Sequence, residues 1–92
     1  MELKVITIRV KEFKNSKTGA SFFKGSIKGK YIPLVLAEEE EYYEVKVVGY
    51  DFDKEGTYQV AYEINNMWID SRENFKDKHI LRIKAKRVLQ IA

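Results

Sequence analysis

The stretch Ile80-Leu81-Arg82-Ile83-Lys84-Ala85-Lys86-Arg87-Val88-Leu89-Gln90-Ile91 decides how this chain folds. Leu81, Ile83, Ala85, Leu89 and Ile91 fall on one side of an extended strand, with Arg82, Lys84, Lys86 and Gln90 on the other. That period-two pattern marks a half-buried β-strand. Working outward, the same alternation recurs at the start of the chain. From Leu3 to Phe13, the residues Ile6, Ile8 and Val10 share one face and Arg9, Lys11 and Phe13 the other. Asn15-Ser16-Lys17-Thr18-Gly19 then reads as a polar hairpin loop, with glycine where a positive φ is needed. From Ala20 to Gly29, Phe23, Gly25 and Ile27 alternate with Phe22, Lys24, Ser26 and Lys28.

The middle of the chain is less regular. Lys30 to Leu36 reads as a short strand broken by Pro33, which assigns it to an edge. Glu38 to Glu41 is either one helical turn or a solvated connection. Tyr43 to Asp53 reads as a strand with a bulge or bend at Gly49. Lys54-Glu55-Gly56 reads as a tight hairpin into Thr57–Ile64, where Tyr58, Val60, Tyr62 and Ile64 share a face. Asp70-Ser71-Arg72-Glu73 has capping-box spacing inside a longer connection from Asn65 to His79. Together these elements predict an all-β domain: one small barrel of five or six strands over residues 1–92, with at most one or two short helical turns. Closing the sheet removes its exposed edges.

Composition sets the outer limits. With 92 residues the core is modest and no deep cavity for a large cofactor is expected. The absence of cysteine excludes disulfides, thiolate metal sites, iron–sulfur clusters and thiol catalysis. Uncharged stretches such as Tyr31 to Ala37 are far too short for a spanning helix or a signal peptide, so a cytoplasmic domain without membrane contact is expected. The net charge of +3 divides unevenly: residues 1–36 carry +6, residues 37–70 carry −8 and residues 71–92 carry +5. This alternation predicts a basic face and an opposed acidic one, with ordinary solvated charge as the plainer reading.

With the apolar sides turned inward, the outward set is Arg9, Lys11, Phe13, Phe22, Lys24, Lys28, Arg82, Lys84 and Lys86. A phenylalanine beside lysines on a wet strand face suits single-stranded nucleic acid, whose bases stack on rings while lysines follow the phosphates. The competing reading packs Phe13 or Phe22 under a loop, or slips the register by one residue. Trp68 has two roles open to it, capping the barrel or stacking on a base. Tyr31, Tyr42 and Tyr43 are open between core and interface.

A basic first strand, the Lys17-Thr18-Gly19 hairpin, the run Ser21-Phe22-Phe23-Lys24-Gly25-Ser26-Ile27 and a basic last strand resemble the OB-fold. Within it, they resemble the small single-stranded-DNA-binding proteins of bacteriophages and mobile elements. That resemblance implies a ligand crossing strands two and three beside the first hairpin and the loop before the last strand. It would implicate Lys14, Lys17, Phe22, Lys24, Lys28, Lys30, Tyr31 and Trp68, in a protein of DNA replication or recombination. The chain departs from the pattern in its tight hairpin at Lys54–Gly56, where such barrels carry a helix. The acidic turn at Glu38–Glu41 would then stand in the helix's place, leaving an extra strand for a homodimer contact. Ending on Gln90-Ile91-Ala92, the chain shows no acidic tail for recruiting partners.

Other chemistries fit poorly. Asp51-Phe52-Asp53-Lys54-Glu55-Gly56 begins like a calcium loop, but Tyr62 stands where the bidentate glutamate belongs. Asp51 and Asp53 lack a third acid for metal-assisted phosphodiester cleavage. His79 is a lone histidine among lysines. No phosphate-cradling glycine loop or nucleophile elbow occurs. The expectation is therefore a non-enzymatic single-stranded-DNA-binding domain with no cofactor, no metal and no small-molecule substrate. RNA is the alternative ligand. A further alternative is a protein-interaction module whose acidic segment from Glu38 to Glu55 mimics DNA.

Overall fold

Alternation builds the barrel wall. The computed structural model describes residues 2–71 and 79–92. Among them five strands are formed: β1 (Leu3–Lys14), β2 (Ser21–Lys28), β3 (Tyr42–Val47), β4 (Gly56–Ser71) and β5 (His79–Gln90), with one 3₁₀ turn at Gly29–Tyr31. They close in the order β1-β2-β3-β5-β4, and β4 returns to pair with β1. Every pairing is antiparallel except β3 with β5, which run parallel. The result is a closed all-β, OB-like barrel. No helix among the described residues is long and apolar enough to cross a membrane.

The interior is drawn from all five strands. Ile6, Ile8 and Val10 of β1 meet Ile27 of β2, Tyr43, Val45 and Val47 of β3, Tyr58, Val60, Tyr62 and Met67 of β4, and Leu81 and Ile83 of β5. Val60, Leu81 and Ile83 are fully buried. Truncating such a residue to alanine costs about 2–5 kcal/mol where the site does not collapse. The first hairpin forms as its sequence dictates. Asn15 Oδ1 accepts from the backbone N–H groups of Lys17 and Thr18 at 2.9 and 3.3 Å. Gly19 closes the turn at φ +73°, where a side chain would be strained.

The middle of the chain departs from its sequence reading in three ways. Residues 30–36 form no edge strand, because Gly29 and Lys30 donate to the carbonyls of Glu41 and Glu39 at 2.7 and 3.0 Å and fold the segment back on itself. The strand expected from Tyr43 to Asp53 stops at Val47, and the chain turns away at Val48-Gly49. No hairpin forms at Lys54–Gly56: β3 lies between β2 and β5, so residues 48–55 cross over to reach β4. Of the five or six strands expected, five form among the described residues.

Instead of a loop from Asn65, β4 continues to Ser71 after a bulge, four residues (63–66) opposing Lys84 alone. The bulge turns Ile64 out to solvent, 61% exposed, against the expectation that it shares the inner face. The expected capping box begins on strand residues Asp70 and Ser71, and its Arg72 and Glu73 lie outside the described residues. A second irregularity occurs in β5. Ala61 faces Arg87 while Tyr62 faces Ala85, so Lys86 is the extra residue and the alternation changes phase there. Val88 packs on the core, whereas Leu89 and Ile91, read as inward, are half exposed.

Candidate nucleic-acid interface

The outward side chains of β1, β2, β3 and the first half of β5 lie side by side. Phe13 of β1 and Phe22 of β2 are cross-strand partners. Their rings stack with centroids 5.8 Å apart and planes 20° from parallel, and both stay substantially exposed. Lys24 follows two residues along β2, opposite Lys11. Its ammonium sits 5.8 Å from the Phe13 centroid and 5.3 Å from that of Phe22, within cation–π range of both. Neither ring is tucked under a loop, so the register places both where the sequence alternation put them.

β3 extends the face. Lys46 stands in register with Arg82 of β5, and Arg82 in register with Trp68 of β4. Trp68 is 38% exposed and lies on the outer wall, so it does not cap the barrel. A groove of about 750 Å³ runs along this side, floored by Phe22, Lys24, Lys46 and Arg82 and rimmed by Tyr50 to Asp53. A second of about 690 Å³ lies toward the other end, among Arg9, Lys11, Lys28, Lys30, Tyr31 and Tyr42. Between them is a smaller, mostly apolar depression of about 220 Å³. It shares Lys11, Ser26 and Tyr42 with one groove and Lys24 and Glu44 with the other, so the three form a continuous track.

No protein-family model, curated protein or solved structure matches this chain. The track is therefore judged on its own chemistry. Five lysines and two arginines alternate along it with stacked or flanked rings. Lys30 approaches Tyr31 at 5.0 Å and Lys28 approaches Tyr42 at 6.0 Å, repeating the ammonium-over-ring arrangement of Lys24. Each unit joins a flat apolar ring to a cation held over it.

The expected separation of charge into two faces is not what forms. Glu44 stands in the middle of the track, where it holds Lys24 at 3.4 Å and Lys46 at 3.7 Å. Glu40 pairs with Lys28 at 3.3 Å, and Asp70 accepts from Arg82 Nε at 2.8 Å. Acids of the middle third thus interleave with the basic strands, because β3 and β4 are inserted between or beside them.

Most of the sequence-predicted residues gather on the track: Arg9, Lys11, Phe13, Phe22, Lys24, Lys28, Lys30, Tyr31 and Arg82, with Trp68 at its far edge. Lys14 ends β1 opposite Ser21, and Lys17 rides on the adjoining hairpin. Lys84 and Lys86 do not join them. They follow the last residue of β5 that pairs with β3, and Lys86 is drawn round to Glu63 of β4 at 3.3 Å. Sequence reasoning missed Lys46, which sits in the acidic third and vanishes in its average. Its alternation with Tyr42 and Glu44 was the available signal. Tyr50 and Phe52, packed edge to face at 5.2 Å, also line the first groove, which the strand expected over Tyr43 to Asp53 does not foresee.

Proposed function

We propose that this domain binds single-stranded DNA with little sequence preference, in replication or recombination, and carries out no chemistry on it. The observation that carries the reading is the Phe13–Phe22 stack with Lys24 above both rings. Exposing two large rings gains a lone protein nothing, whereas bases stacked on such rings contribute roughly 1–3 kcal/mol each. The neighbouring lysines follow the phosphates along the three joined depressions. Duplex DNA fits less well, because its bases are already stacked and no element among the described residues projects into a groove.

Titration with oligo(dT) over a salt series tests the proposal, followed by Trp68 emission and, independently, by anisotropy of a labelled strand. With about four phosphates neutralised, log K falls with log salt at a slope of about −3. Preference for duplex, or no binding at low salt, overturns the reading. Tighter binding of oligo(rU) than of oligo(dT) moves the ligand class to RNA.

A further inference from the structure

The wall that adjoins the track at Thr7, on the border of the second groove, has a different character. There the N-terminal half of β1, the start of β4 and the end of β5 lie in register, Val5 opposite Ala61 and Gln59 between Thr7 and Leu89. Val5, Thr7, Gln59, Ala61, Leu89 and Ile91 turn outward along alternation set by the buried Ile6 and Val60 and the partly buried Val88 beside them. None carries a charge, in a chain of which 34% is charged. Leu3, Val5, Leu89 and Ile91 are 50%, 57%, 53% and 48% exposed. Together they leave on the order of 400 Å² of apolar side chain open, within the roughly 300–600 Å² of the largest patch on an ordinary monomer.

The geometry points to this wall as the contact between two copies of the chain, related by a two-fold axis. A standard interface takes about 800 Å² from each partner, and in homodimers about 65% of that is apolar. The four aliphatic side chains supply most of it, and the methyl groups of Thr7 and Ala61 and the stem of Gln59 bring it close to the requirement. The rim has both signs of charge, with the Glu2–Lys4 and Glu63–Lys86 pairs at one end and Arg87 beside Ala61. Such a rim meets its own copy without a like-charge penalty. Nucleic acid has nothing to bind on an uncharged strip. The barrel is closed, so no free strand edge competes for the partner. Only Thr7 is shared with the track, so the Phe13–Phe22 platform and the Lys46–Arg82 end lie outside the contact.

Sedimentation velocity over a concentration series, without nucleic acid, tests this. A mass of two chains is expected at micromolar concentration. Val5→Lys and Leu89→Lys, each placing a charge in the apolar centre, are expected to weaken association about a hundredfold while preserving the thermal melt. A single-chain mass at the highest soluble concentration overturns the inference. So does a dimer that both variants leave intact but that Leu36→Asp disrupts, since Val35 and Leu36 are an exposed apolar pair elsewhere on the surface. Oligo(dT) affinity per site, measured on the same variants, separates this contact from the proposed function.

Discussion

Phe13 and Phe22 face one another across the β1–β2 pair with their rings stacked at 5.8 Å and the Lys24 ammonium above both. Each ring holds the other in place, so the platform is set before a ligand arrives. Phe22→Ala is expected to weaken oligo(dT) binding by roughly 1–3 kcal/mol. The fold should lose no more than about 1 kcal/mol, the scale of one exposed cross-strand pair. Anisotropy titrations beside denaturant melts check both halves. Phe13→Ala should act alike, and the double variant should lose less than the two singles combined, because they form one platform.

Glu44 shares its carboxylate between Lys24 and Lys46 in the centre of the track. In the free protein these exposed pairs contribute little to stability. Their larger effect is on the ligand, since the carboxylate competes with a phosphate for two ammonium groups. Glu44→Gln is expected to tighten oligo(dT) binding several-fold at low salt. The log–log salt slope should steepen by about 0.7 for each lysine released. Unchanged affinity and slope would show that the phosphates do not pass this point.

The outer faces of β1 and β2 were legible because strict alternation and an Asn–Gly-bounded loop leave one register open to them. The parallel pairing of β3 with β5 was not, since nothing local in Tyr42–Val47 names a partner far along the chain. That one unforeseen pairing produced two errors together: the false hairpin at Lys54–Gly56 and the segregation of charge. Bulges account for the rest. An extra residue at Lys86 reverses the faces of Leu89 and Val88, and period-two reading has no means of detecting a change of phase. Of the candidate site, the rings and the basic residues of β1 and β2 were readable, while Lys46 and the position of Glu44 depended on the topology.

Gly29 is the tightest point between the strand face and the turn that follows. Its N–H donates to Glu41 at 2.7 Å, and a β-carbon there would run into the Glu38 carbonyl and reach the Tyr43 ring at 3.0 Å. Backbone and a buried ring give way poorly, so Gly29→Ala is expected to cost about 1–3 kcal/mol. In a domain of this size that lowers the melting temperature by roughly 4–8 °C per kcal/mol. Gly19→Ala makes the control. Open space surrounds it, and its cost of about 1–2 kcal/mol comes from the left-handed backbone alone. Only the Gly29 variant should disturb the amide signals of Glu38 to Glu41 in a heteronuclear spectrum.

Tyr58 donates its hydroxyl to the Lys54 carbonyl at 2.7 Å and packs against Phe52 with ring centroids 5.0 Å apart. Burial pushes its pKa above the ordinary phenol value, and the Tyr50 phenol and the Asp53 carboxylate push it further. Burial raises Tyr62 as well. In the unfolded chain both phenols ionise near pH 10, while the folded protein holds their protons. Below that pH both states are protonated and stability is unaffected. Above it the unfolded state gains by ionising and stability falls as pH rises, until the folded phenols titrate too. Urea melts from pH 8 upward should therefore show a midpoint that is flat and then declines above about pH 10. Tyr58→Phe loses the bond to Lys54 and with it about 1 kcal/mol at neutral pH. Its alkaline decline should be shallower than that of the parent, and an equally steep one would mean that Tyr58 ionises in the folded state as freely as in the unfolded chain.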